Sequence, residues 1–172
     1  FTSGSTGIPK GIIHSNGSYL LYSKLTCKKK FGINHKSIIL TASDAGWING
    51  HTYALFGPLS LGATTVLIER PADLLVPKIL KSILFSFKVN ILYMPVTLIR
   101  LMRAVNYNKT FRSKYLKVLG SMGEPLSYSV AKWFGSAFSD KDLPIVNTYF
   151  QTETGGIISS PSYNDKNIKK HY

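Results

Sequence analysis

The sequence predicts an α/β fold, a mostly parallel sheet flanked by helices. Three observations carry that expectation. Short runs rich in β-branched residues alternate with longer stretches of helical apolar spacing. The segments between strands have the length of helical crossovers, which parallel pairing requires. The strand-like runs are apolar on both faces, as strands buried between two layers must be.

Each element has its own signal. Ser15 and Asn16 offer a cap for a helix running to about Phe31. Ser37 to Thr41 reads as a strand, and so does Ala63 to Ile68 after Gly62. Asp73 is placed to open a helix with Pro77 in its first turn, where a missing N–H is tolerated. Ile79, Leu80, Ile83, Leu84 and Phe87 then recur at helical spacing. Val89 to Tyr93 is the next strand, and a helix from Val96 to Val105 begins just after Pro95. Tyr115 to Gly120 is a strand, Ser127 caps a helix through Phe138, and Pro144 to Tyr149 is the last strand. Open sheets of this class place ligands beyond the carboxyl ends of their strands. Three loops follow strands there, 44–51, 121–125 and 150–156, so one edge of the sheet is expected to gather them into one cleft.

Composition narrows the function classes. The 172 residues suit about one domain, and 44% apolar residues support a core and argue against wholesale disorder. The net charge of +13 raises nucleic acid as a partner. Yet only Arg70, Arg100, Arg103 and Arg112 carry the guanidinium favoured for bidentate phosphate contact, and the lysines are scattered apart from Lys28 to Lys30. The charge therefore reads as a solvated surface, with no nucleic-acid partner. Cys27 is the single cysteine, which excludes an internal disulfide and a sulfur-based metal cluster. It fits a reducing compartment, so the cytoplasm is the expected location, with an organelle or the nucleus left open. No apolar run reaches the ~20 residues of a membrane span. The chain opens at Phe1 inside a loop motif and reads as an internal piece of a longer protein.

That motif, Thr2-Ser3-Gly4-Ser5-Thr6-Gly7-Ile8-Pro9-Lys10-Gly11, is built to grip phosphate. Ser3, Ser5 and Thr6 supply hydroxyls, Gly4 and Gly7 let backbone N–H groups converge on an anion, and Lys10 adds a mobile charge. Its spacing is neither that of a Walker loop nor that of a dinucleotide fingerprint. Gly120 to Pro125 places two glycines around Met122, and from spacing alone reads as a structural turn. Tyr149 to Gly156 packs aromatics, an amide, two hydroxyls and the carboxylate of Glu153 into eight residues. Beside a phosphate site, Glu153 suits a Mg²⁺ ion held by one or two carboxylates plus phosphate oxygens; equally it suits a helix start. Asp44 to His51 carries Trp47, Ile48 and Asn49, with His51 read as a structural hydrogen-bonding residue. No nucleophile elbow accompanies Ser121, His51 and Asp44.

Together these loops resemble the adenylate-forming family of acyl-CoA synthetases, luciferases and peptide-synthetase adenylation domains. The likeness runs from Phe1 to about Pro161 and lies nearest the acetyl-CoA synthetases. It rests on Phe1 to Gly11, Asp44 to Trp47, Gly57-Pro58-Leu59, Gly120 to Pro125 and Asn147 to Gly156. The resemblance implies that residues 1–161 are part of an AMP-binding domain, the large N-terminal domain of such an enzyme, and that 162–172 continue it. It implies ATP-dependent activation of a short-chain carboxylate, acetate first, to an acyl-CoA, with Mg²⁺ and coenzyme A required. By the same resemblance Thr2, Ser3, Gly4, Ser5, Thr6, Gly7 and Lys10 hold the phosphates. Gly123, Glu124, Pro125, Asn147, Thr148, Tyr149, Phe150, Gln151 and Thr152 surround the rest of ATP. Trp47, Ile48, Asn49, Met122 and Phe150 line the acyl pocket, Asn49 and Asp73 meet coenzyme A, and Glu153 holds the metal. Lys10, Thr152 and Glu153 are the implied catalytic residues, and a C-terminal domain of the same protein is the implied partner.

The sequence also departs from that subfamily. Asn147 stands for an Asp, and Tyr149 and Phe150 for two tryptophans. Phe150 deepens the pocket, whereas Ile48, Asn49 and Met122, in place of Val, Thr and Val, shrink it. The balance keeps the pocket small, for acetate or propionate. Two further readings stand beside this one: another adenylate-forming ligase (for propionate, acetoacetate, a medium-chain acid or a peptide synthetase), and a non-catalytic nucleotide- or nucleic-acid-binding module.

Overall fold

The computed structural model describes residues 1–2, 7–105 and 112–168. Helix α1 (Asn16–Phe31) leads into strand β1 (Ile38–Thr41). A π-helical segment (Gly50–Phe56) runs on into α2 (Gly57–Ser60), followed by β2 (Thr64–Val66), a 3-10 turn (Pro71–Leu75) and α3 (Pro77–Ser86). Then come β3 (Ile91–Pro95), α4 (Val96–Ala104), β4 (Val118–Met122), α5 (Tyr128–Phe138) and β5 (Ile145–Asn147). Strands β6 (Tyr149–Gln151) and β7 (Gly156–Ser159) close as a separate antiparallel hairpin.

The main sheet has the order β2-β1-β3-β4-β5, with every pair parallel, as the sequence predicted. Alternate residues of each strand feed two cores. Leu92 and Met94 of β3 face α3, α4 and α5, while Ile91 and Tyr93 face α1 and the π-helical segment. Burial on both faces explains why the strand runs are continuously apolar rather than alternating. The chain adds strands outward in one direction from β1 to β2 and in the other from β3 onward. The carboxyl ends of β1 and β3 are therefore the switch point at which such sheets open a crevice.

Several boundaries differ from the sequence expectation, each for a local reason. Asp73 does not open a helix. It sits in the 3-10 turn, and Pro77 forces Val76 into extended backbone (φ −84°, ψ 110°), so α3 starts at Pro77 itself. Strand β3 starts at Ile91 rather than Val89, because Lys88 turns left-handed (φ 52°) and the Val89 N–H is still bound to Leu84 O. The strand expected over 144–149 ends at Asn147, where Thr148 bonds Ser121 O through both its N–H and its hydroxyl and the chain leaves the sheet. The sequence reading missed the π-helical segment and the β6–β7 hairpin.

Candidate functional site

The crevice at the switch point is lined from three directions. Ala42, Ser43 and Asp44 follow β1, Pro95 ends β3 and Thr97 follows it, and Met122 to Glu124 close β4. Trp47, Ile48 and Asn49 come down from the loop ahead of the π-helical segment, and Phe150 to Glu153 come across from the hairpin. The resulting cavity measures about 800 Å³. A second cavity of about 730 Å³ adjoins it, bounded by Pro125, Asn147 to Tyr149, Lys30 and the 159–162 segment. Gly123, Glu124 and Phe150 border both, so these residues form the wall between two compartments.

The three loops singled out in the sequence thus meet in one place. The proposed acyl-pocket set Trp47, Ile48, Asn49, Met122 and Phe150 faces the first compartment; of the proposed nucleotide set, Gly123 to Pro125 and Asn147 to Phe150 face the second, whereas Gln151 and Thr152 line the first. Of the phosphate loop, Thr2 lines the first compartment. Its N–H donates to Lys10 O (2.8 Å) and the Lys10 N–H donates back to Thr2 O (3.0 Å), which ties the loop at its base. Ser3, Gly4, Ser5 and Thr6 lie outside the described residues. Gly7 and Lys10 are exposed and border neither compartment. Asp73 is likewise absent from both walls; its carboxylate lies 3.4 Å from Arg70 Nε, although Pro71 of the same turn reaches the cavity. His51, expected to hold structure through hydrogen bonds, is exposed.

Three carboxylates stand around the first compartment, and two are engaged. Asp44 Oδ1 accepts from the Gly46 N–H at 2.6 Å, and Glu124 pairs with Arg100 at 2.6 Å. Glu153 is exposed and, among the described residues, forms no ion pair. Its oxygens, with the side chains of Thr152 and Gln151 beside it, are the hard donors that suit Mg²⁺.

The turn that carries Thr152 and Glu153 is held from behind. His14 Nε2 lies 2.8 Å from Thr152 O. The carbonyl accepts, so the ring nitrogen donates. Thr52 donates to Gly155 O (2.7 Å) and thereby accepts from Tyr19 Oη (2.7 Å). The Ile157 N–H donates to Tyr53 Oη at 2.7 Å, and Tyr22 Oη bonds Ile157 O. Gly155 turns left-handed (φ 74°), and a Cβ there would fall 2.9 Å from Tyr19 Cδ2. The hairpin therefore rests on α1 and the π-helical segment through hydroxyls.

A second chain of hydroxyls underlies the first compartment. Thr148 Oγ1 lies 2.8 Å from Ser121 O and 2.6 Å from Tyr93 Oη, and Asn49 Nδ2 lies 3.1 Å from Tyr93 Oη. Burial pushes the Tyr93 phenol well above its ordinary pKa, against the lowering effect of its Thr148 and Asn49 hydrogen bonds, so it keeps its proton. Sequence reasoning missed Tyr93, His14, Tyr19 and Thr52. Tyr93 reads as one more apolar strand residue, and only the register that sets it against Gly120 reveals its role.

The family described as AMP-binding enzyme matches residues 1–171. An acetyl-coenzyme A synthetase of Psychromonas ingrahamii is 42% identical over 94% of the chain, and one of Escherichia coli is 40% identical over 94%. The chain spans a quarter of the length of these relatives. A crystal structure of an acyl-CoA synthetase from Brucella canis superposes with a TM-score of 0.74 at 30% identity, covering 88% of this chain and 27% of that one.

Proposed function

Because the chain belongs to the AMP-binding enzyme family, we propose that its cleft activates a short-chain carboxylate with ATP and passes it to coenzyme A. The observation that carries this reading is the pair of compartments divided by Gly123, Glu124 and Phe150. Such a partition lets a nucleoside and an acid lie on either side of one α-phosphate.

In the first half-reaction a carboxylate oxygen forms a bond to the α-phosphorus of ATP while the bond to the bridging oxygen breaks. Pyrophosphate leaves and an acyl-adenylate remains. In the second, the thiol of coenzyme A attacks the acyl carbon, AMP leaves, and the thiol proton passes to solvent. Displacement at phosphorus needs positioned, charge-stabilising groups more than covalent help. Thr2 to Gly7 and Lys10 take the departing phosphates, and Thr152 approaches the α-phosphate. Gly123 to Pro125 and Asn147 to Gln151 border the adenosine. Glu153 is the residue for Mg²⁺, which when bound neutralises charge on the phosphates. Trp47, Ile48, Asn49, Met122 and Phe150 enclose the acid, and Asn49 and Asp73 attend coenzyme A. Adenylation draws on a lysine of a C-terminal domain of the complete protein, and that domain rotates between the two half-reactions.

The size of the acid follows from those walls. Ile48, Asn49 and Met122 narrow the compartment that Phe150 deepens, so acetate is the favoured acid, with propionate next. The test is ATP–pyrophosphate exchange by the complete protein with acetate, propionate and butyrate. We expect butyrate to be at least about tenfold poorer in kcat/KM than acetate. A preference for butyrate would overturn the small pocket. Phe150→Trp is expected to shift preference further toward acetate, and an unchanged ratio would show that Phe150 is not the floor.

A further inference from the structure

Tyr93 lines neither compartment, yet its hydroxyl is shared between the walls of the cleft. Ser121 O can only accept, so the Thr148 hydroxyl 2.8 Å away donates to it. Thr148 has then spent its one proton, and its 2.6 Å contact with Tyr93 uses the phenolic proton. Tyr93 has only lone pairs left, so the 3.1 Å contact with Asn49 is an amide N–H donating to Tyr93 Oη. The Asn49 amide, buried against this phenol, anchors its loop from behind. The ring that carries the hydroxyl is itself wedged. Phe31 and Tyr53 pack on it at centroid distances of 4.9 and 5.8 Å, and Gly120 approaches so closely that a Cβ there would fall 2.6 Å from Tyr93 Cδ2.

The two walls depend on that hydroxyl unequally. Thr148 is also held to Ser121 O by its own N–H (3.0 Å) and its hydroxyl, so the strand end leading to Tyr149 and Phe150 keeps its place without the phenol. The loop of Trp47 and Ile48 closes on itself, with Asp44 O accepting from the Trp47 N–H (3.1 Å) and Trp47 O from the Gly50 N–H (3.0 Å). Asn49 Nδ2 carries that loop across to β3. We propose that Tyr93 is a positioning residue for the acid: through Asn49 its hydroxyl sets the Trp47–Ile48 wall against Met122 and Phe150, and so governs which acid fits. This rests on the adenylation reading of the cleft.

Tyr93→Phe removes one oxygen and keeps the ring. The assay is ATP–pyrophosphate exchange by the complete protein. The KM for acetate is expected to rise at least about fivefold and the preference for acetate over butyrate to fall at least about threefold, with the KM for ATP within about twofold of wild type. Val130→Ala thins the opposite core, lines neither compartment, and is expected to lower the urea midpoint without that split. A Tyr93→Phe protein that loses stability alone, as Val130→Ala does, overturns the proposal, and so does an equal rise in both KM values. Asn49→Ala cuts the same tie from its other end. Combined with Tyr93→Phe it is expected to add less than about twofold to the effect of either variant, and effects that multiply overturn the link between the two residues. Should Tyr93→Phe not fold, Asn49→Ala is judged by the same split. Exchange by the wild type with no acid present overturns the adenylation reading itself, and the proposal with it.

Discussion

Gly120 decides where Tyr93 lies. The two are paired across β3 and β4, and a Cβ on Gly120 would fall 2.6 Å from Tyr93 Cδ2 and 2.8 Å from Phe31 Cε1. Gly120→Ala is therefore expected to destabilise the fold by about 1–3 kcal/mol, as overpacking of a tight core does. Urea unfolding reads the change directly, and an unaltered midpoint would mean that the rings yield without cost. Glu153 gives a second prediction of the same size class. Glu153→Gln removes the free carboxylate and is expected to raise the Mg²⁺ needed for half-maximal exchange at least about tenfold. An unshifted Mg²⁺ dependence would remove Glu153 from the metal site. Residue types at the rim, such as Glu153, Thr152 and Trp47, are legible in a sequence because polar and glycine-rich loops stand out from their flanks. Tyr93 and His14 are not, since their importance comes from partners 55 and 138 positions away.

The β6–β7 hairpin behaves as a unit that α1 and the π-helical segment hold in place. His14 at the approach to α1 donates to Thr152 O, so His14→Phe takes a donor from a carbonyl in the middle of the proposed catalytic turn. We expect a fall of about tenfold in exchange rate with faster amide hydrogen exchange over 152–156. A variant with slowed exchange chemistry but unaltered hydrogen exchange would place His14 outside this supporting role. The bounds of α1, α4 and α5 were readable to within a residue, but a clear period did not fix the start of α3, which lies at Pro77 and not at Asp73. Helices α1, α4 and α5 each combine helical apolar spacing or a capping residue with a clear stop. The π-helical segment lacked such a signal, because Tyr53, Ala54, Leu55 and Phe56 form a block rather than a periodic pattern. The hairpin was hidden for another reason: Thr148 leaves the sheet on a side-chain bond to Ser121 O, which no local pattern announces.

At the scale of the whole molecule, the face under α1 is a store of buried acids in their neutral form. Burial raises the pKa of Cys27, Tyr53 and Tyr93. The unfolded chain thus releases these protons first, from about pH 8.5 for the thiol and about pH 10 for the phenols. Where the unfolded state binds fewer protons, stability falls as pH rises. Their contribution is fully present below about pH 8.5 and is lost progressively above it. Denaturant midpoints should decline over that alkaline range, with the phenolate absorbance of Tyr53 and Tyr93 developing together with unfolding and not before it. Phenolate formation in the still-folded protein would show that solvent reaches these rings.

Phe150 belongs to both compartments at once, and shared walls obey an accounting of their own. If filling the proposed nucleotide side moves that ring, it changes the affinity of the proposed acid side by some factor, and the acid must change nucleotide affinity by the same factor. Calorimetric titrations of acetate with and without a non-hydrolysable ATP analogue, and of the analogue with and without acetate, would then close a thermodynamic box. Phe150→Ala is expected to shrink the coupling factor toward one in both directions together, giving a single side chain the role of messenger between two ligands.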